Sequence, residues 1–208
     1  MLCSDRAAAA PTVAGFERFG RQAADRPQVV ESGLLLLGEL GCVNCHAPQP
    51  SQAVHLLPKR GPSLDRVGER LDPQWIAAYL KDPRARVPHT TMPHALAAVP
   101  ASSRDDVAAA LTHFLASTGQ FGSATSAARQ PGNAAEGAAI FNRIGCAACH
   151  GRRDAASLLP DQIPLHGLEA KWDPSSLDRF LRDPLSVRPS SRMPALAMKD
   201  HESSHLVA

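Results

Sequence analysis

The sequence predicts a helical fold laid down twice in tandem, and three observations carry that prediction. Apolar residues recur at i, i+3 and i+4 in short stretches, the spacing of one helix face. Asp-Pro pairs open and close these stretches, as helix start and stop signals do. The same order of signals then occurs a second time along the 208 residues. Such a duplication divides the chain into a leading arm at 1–30, a first repeat at 31–118, a linker at 119–133 and a second repeat at 134–208.

The elements follow in order. The leading arm offers Phe16 and Phe19 to pack on the first repeat. Gly33-Leu34-Leu35-Leu36-Leu37-Gly38-Glu39-Leu40-Gly41 matches Gly137-Ala138-Ala139-Ile140-Phe141-Asn142-Arg143-Ile144-Gly145. Leu37 and Leu40, like Phe141 and Ile144, lie on one face of a short helix. Leu71-Asp72-Pro73 and Trp172-Asp173-Pro174 each combine an N-cap with proline in the first turn. Ile76, Tyr79 and Leu80, and Leu177, Phe180 and Leu181, then share a face. Asp82-Pro83 and Asp183-Pro184 end these helices, because proline disfavours helical geometry in the residue before it. A last helix is expected from a Ser103 cap, with Asp106 three residues on and Val107, Leu111 and Phe114 on its face. Its counterpart opens at Asp200 and is shorter by about ten residues, as if cut. Glycines, serines and Pro131 between the repeats read as a lightly packed linker.

Each predicted leading helix runs into the same five-residue pattern: Cys42-Val43-Asn44-Cys45-His46 and Cys146-Ala147-Ala148-Cys149-His150. C-x-x-C-H is the attachment motif of a c-type haem. Thiols at i and i+3 add to the two vinyl groups, and the following histidine (His46 or His150) lies under the iron as its proximal ligand. The expected cofactors are thus two covalently attached haem c groups, held by Cys42, Cys45, Cys146 and Cys149. A thioredoxin-like dithiol would need a βαβ context, and neither copy follows a strand-like run. A shared zinc would leave the repeated histidine unexplained and would need unusual ligand spacing. Cys3 is the odd cysteine of five.

Beyond the second helix the repeats read Val87-Pro88-His89-Thr90-Thr91-Met92-Pro93 and Arg188-Pro189-Ser190-Ser191-Arg192-Met193-Pro194. Methionine usually fills gaps inside packed elements. In a loop stiffened by prolines it suits a thioether ligand on the far side of the iron, so Met92 and Met193 are the expected sixth ligands. His89 or His94 in the first repeat and Met198 in the second compete for that role.

Composition narrows the classes. Hydrophobic content is 44%, but only nine residues are aromatic, thin for cores of this size; two haems would supply the missing flat apolar bodies. A formal net charge of +2 with mixed signs gives no nucleic-acid stripe. No apolar run is long enough for a membrane span. Covalent haem attachment takes place outside the cytoplasm, so an extracytoplasmic location, periplasmic or secreted, is expected. Met1 to Arg6 lacks the apolar region of a signal peptide, so the expectation is that either a signal has been removed or the chain is part of a longer protein.

Helix, C-x-x-C-H, Gly61-Pro62-Ser63-Leu64, short helix, Met-Pro loop and final helix together resemble the class I cytochrome c family. The resemblance covers about residues 31–118 and 134–208 and implies an all-α fold, with a few short helices wrapped around one haem in each tandem cytochrome c-like domain. It implies that the Pro62 carbonyl orients His46. In the second repeat Gln162-Ile163-Pro164-Leu165 lacks the glycine, and the register is expected to shift by about one residue. The pair also resembles dihaem modules of larger secreted or membrane-anchored redox proteins. Single-electron transfer between transient redox protein partners is the expected function, through small docking surfaces. The alternative is a peroxidase-like dihaem enzyme with one labile distal ligand, for which His89 and His94 are acid–base candidates. A gas sensor is a third class without specific support.

Overall fold

A computed structural model describes residues 13, 16, 26–54, 56, 59, 61–88, 90–121, 131–151, 162–189 and 191–208. Among them the chain is mostly helical, with no strand. The leading arm is described only at Val13, which is buried, and Phe16, whose N–H donates to the Val13 carbonyl at 3.0 Å, until α1 begins at Arg26. Phe19 and Cys3 lie outside the described residues.

In the first repeat, α1 (Arg26–Glu39) leads into a 3₁₀ turn at Cys42–Asn44. Then come α2 (Pro50–Ala53), α3 (Val67–Arg70), α4 (Pro73–Lys81), α5 (Pro83–Arg86) and α6 (Arg104–Ala116). The second repeat has α7 (Ala134–Arg143), α8 (Cys146–His150), α9 (Pro174–Arg182), α10 (Pro184–Val187) and α11 (Asp200–Val207).

The Asp-Pro signals act as expected at the start of α4 and α9. Asp72 accepts from the N–H groups of Gln74 and Trp75, and Asp173 from that of Ser176, satisfying donors that a helix terminus leaves orphaned. At Asp82 and Asp183 the structure adds something. Each aspartate ends one helix and caps the next, Asp82 accepting from Arg84 and Ala85 and Asp183 from Ser186. Ser103 makes no side-chain cap; a 3₁₀ turn over Ala101–Ser103 feeds α6 directly.

Packing differs between the repeats. In the second, α7 crosses α11 at Gly137, where a Cβ would lie 2.1 Å from the His205 carbonyl oxygen. Only glycine permits backbones to approach this closely. His205 Nδ1 also accepts from the Asn133 N–H at 2.9 Å, tying α11 to the start of α7. In the first repeat α6 packs on α4 and α3, with the buried Ala108, Val67 and Ile76 between them.

The repeats meet at equivalent positions. Leu71 and Trp172, matched in the sequence, form an antiparallel bridge. The bonds are reciprocal: Asp72 N–H donates to the Lys171 carbonyl at 3.0 Å, and Asp173 N–H to the Arg70 carbonyl at 3.2 Å. This is the two-fold logic of an isologous interface, written within one chain. The Lys171 ammonium lies 4.6 Å from the Trp75 ring centroid and 5.5 Å from that of Trp172. Burial, aided by the nearby Arg188 guanidinium, pushes Lys171 down to about 8.

That depression sets a pH dependence. Above about 8 the folded chain has lost the Lys171 proton while the unfolded chain keeps it, so this group's contribution to stability rises with pH until the ordinary lysine value is passed. Below 8 the cost of burying the charge is fully present. Lys171→Met is therefore expected to raise the melting temperature at pH 7, with an advantage that shrinks steadily above pH 8. Paired thermal melts across pH 7–10 test this, and an advantage independent of pH contradicts it.

Candidate functional site

Both C-x-x-C-H segments open on a glycine in the left-handed region, Gly41 at φ 69° and Gly145 at φ 96°. There an L-residue would be strained, so each glycine lets the chain turn sharply out of the preceding helix. Cys42 then starts a 3₁₀ turn, closed by the Cys45 N–H (3.2 Å) and His46 N–H (3.0 Å) donating to its carbonyl. Cys146 to His150 form the single turn of α8. In a helical turn, residues three apart share a side, so the two sulfurs of each motif are neighbours. Cys42 and Cys146 are half-buried, Cys45 and Cys149 exposed, and all four are free thiols. Burial, with Cys149 beside it, raises the Cys146 thiol above its ordinary range.

His150 is held by its own backbone frame. Its Nδ1 lies 3.0 Å from the Ile163 carbonyl oxygen. With the proton on Nδ1, the ring donates there and leaves the Nε2 lone pair for a metal. The Ile163 N–H in turn donates to the Cys149 carbonyl at 2.8 Å, closing a ring between the loop and α8. The proline is thus displaced by one residue, as expected, and the carbonyl facing His150 belongs to the residue before it. Leu165 precedes Trp172 by the same interval as Leu64 precedes Leu71, so Ile163 stands where Pro62 stands in the first repeat. The Ile163 carbonyl carries no side-chain signature, and only counting back from the Trp172 signal would have identified it. In the first repeat the proximal loop is tied differently, by Asn44 Nδ2 donating to the Lys59 carbonyl at 3.1 Å, and His46 is exposed.

The methionine loops share one device. Thr90 Oγ1 accepts from the Met92 N–H at 3.2 Å, and Ser191 Oγ accepts from the Met193 N–H at 3.0 Å. Both methionines are half-buried. Behind Thr90 stands Tyr79, its hydroxyl 2.6 Å from Thr90 Oγ1 and its ring stacked on Trp75 at 4.8 Å. Burial raises the Tyr79 phenol, opposed by the Thr90 bond and by Arg188. Phe180 holds the equivalent place in the second repeat, 5.1 Å from Trp172, and has no hydroxyl to offer. Of the rival ligands, His94 is exposed, Met198 is half-buried with its N–H donating to the Leu196 carbonyl at 2.8 Å, and His89 lies outside the described residues.

These residues fit a haem by the chemistry of their donor sets. Each motif offers two cysteines three residues apart on a turn and a histidine next to them, and in the second repeat the Nδ1 of that histidine faces the Ile163 carbonyl, which leaves Nε2 for a metal. Ile163, which bonds to both Cys149 and His150, places an apolar side chain next to the second motif. Among the described residues, no three His, Cys, Asp or Glu side chains converge as a metal site, so the four cysteines are not gathered at one point.

A helical fold with paired thiols beside a histidine is compatible with the class of c-type haem domains, and one comparison bears on it. The family model described as cytochrome c oxidase, cbb3-type, subunit III matches residues 132–208. That stretch is similar to a cytochrome c domain, which implies covalently bound haem and electron transfer. No curated protein and no solved structure matches the chain.

Proposed function

We propose that the chain is a dihaem c-type cytochrome passing single electrons between redox proteins outside the cytoplasm. Its working parts are two tandem domains, 31–118 and 134–208, joined by the 119–133 linker and preceded by the arm at 1–30. One haem is attached at Cys42 and Cys45 with His46 and Met92 as iron ligands. The other is attached at Cys146 and Cys149 with His150 and Met193. The observation that carries this reading is the His150 ring held by the Ile163 carbonyl at the end of a turn presenting both thiols.

Bound haem supplies a one-electron iron couple. The chain's residues do the rest. His46 and His150 fix one axial side, and the Met-Pro loops hold a thioether to the other, which favours a higher potential than a second histidine would. With both axial positions filled, no coordination site is left for substrate, which favours carrier over peroxidase. Cys45 and Cys149 are exposed, so partners reach the cofactor at its thioether edge. Contacts of that kind are small and short-lived. Among the described residues no helix is long and apolar enough to cross a membrane.

The test is the visible and magnetic spectrum of the oxidised protein. Two low-spin centres, with the weak Met–iron band near the red edge, are expected. A high-spin centre that takes up cyanide readily would overturn the carrier reading in favour of the peroxidase-like enzyme.

A further inference from the structure

The Met193 loop is held by the other repeat. At its entry, the Val187 carbonyl accepts from the Ser63 N–H at 2.8 Å, and Ser63 lies in the first repeat's Gly-Pro-Ser-Leu loop. Just before the methionine, Arg192 Nε lies 3.0 Å from Glu39 Oε2, a buried oxygen that accepts no hydrogen bond, so the two form an ion pair at the end of α1, three residues before Cys42. The Glu39 carboxylate is largely shielded, 16% exposed, and its other oxygen pairs with Lys59 Nζ at 2.6 Å. Lys59 belongs to the loop that Asn44 ties to the Cys42 turn. The second repeat's methionine loop is thus fastened at two points to the segments that frame the first repeat's haem motif.

The arrangement is one-sided. Thr91 occupies the place of Arg192 in the first repeat and has no charge to pair. Pro164 occupies the place of Ser63 and has no N–H to donate. The Met92 loop is held from within its own repeat instead, through Tyr79 and Thr90.

We propose that Glu39 and Arg192 are positioning residues for Met193, so that ligation of the second haem depends on the integrity of the first repeat. The proposal rests on the dihaem His/Met reading above. A loop that carries an axial ligand opens and closes, and an added imidazole competes for the iron each time it opens. Its apparent affinity therefore scales with the open population. Glu39 lies at no coordination site, yet its loss loosens the loop across the interface. A partly shielded ion pair of this kind changes such an equilibrium roughly two- to fivefold.

The experiment is imidazole titration of the full-length holoprotein, followed in the visible spectrum, with bound haem and helical content measured on every variant. Glu39→Gln and Arg192→Gln are each expected to raise affinity roughly two- to fivefold at one haem only, that of Met193, while Arg192→Lys stays near the parent. Unchanged affinity, or an equal rise at both haems, overturns the coupling. Met193→Ala serves as the reference. If it opens one haem fully and Glu39→Gln does nothing, the coupling alone fails. If Met193→Ala itself leaves imidazole binding unchanged, the ligand assignment fails and takes the coupling with it.

Discussion

Replacing Cys146 and Cys149 together by alanine is expected to halve the haem that travels with the denatured polypeptide, and the Cys42/Cys45 pair is expected to do the same. All four substitutions together should abolish it. The double variants carry the large effect because a single remaining thioether still tethers the porphyrin, whereas a lone histidine on a one-turn helix does not. A second consequence follows from packing. A covalently held group that binds only the folded chain stabilises it. Each double variant should therefore also lower the melting temperature. Haem staining on a denaturing gel, with pyridine haemochrome quantitation, reads the stoichiometry directly. Colour that leaves the parent polypeptide on denaturation would contradict covalent attachment, and one zinc per four thiols by metal analysis would establish the rival.

What could be read from the sequence was what local chemistry dictates. Asp72-Pro73 and Asp173-Pro174 start helices because the aspartate oxygen finds the orphaned N–H groups of the next turn, and no distant residue is needed. The same logic hid the double duty of Asp82 and Asp183: a terminator and a cap look alike when the next helix is one turn long. Ser103 misled for a related reason, since a 3₁₀ turn already runs into α6 and leaves the hydroxyl nothing to cap. The C-x-x-C-H segments were legible because thiol and imidazole chemistry is written in side chains. The Ile163 carbonyl was not, because any residue has one. Least legible were contacts between the repeats. The Leu71–Trp172 bridge and the Glu39–Arg192 pair join residues far apart in the chain, and no periodicity announces them.

Met92→Ala and Met193→Ala, made singly, are each expected to lower one haem potential by on the order of 0.1 V or more, a modest part of the ~0.8 V that axial ligands span. Thioether sulfur favours the reduced iron, so its removal stabilises the oxidised form, whether water or a nearby nitrogen fills the position. Each variant should also lose half of the Met–iron band, and the pair all of it. The two losses should differ in what surrounds them. In the first repeat the loop stays anchored after Met92→Ala, because Tyr79, Thr90 and the backbone N–H at 92 still form their chain of bonds. An exogenous ligand therefore enters a preformed gap. In the second, Phe180 offers no hydroxyl, and Ser191 is the hydroxyl that holds the N–H at 193. That loop is held by the Ser191 bond and from across the interface, anchors that Met193→Ala also leaves in place. Potentiometric titration with spectral deconvolution separates the two centres. A methionine whose replacement moves neither potential nor band is not a ligand, and the role would pass to His89 or His94 in the first repeat, or to Met198 in the second.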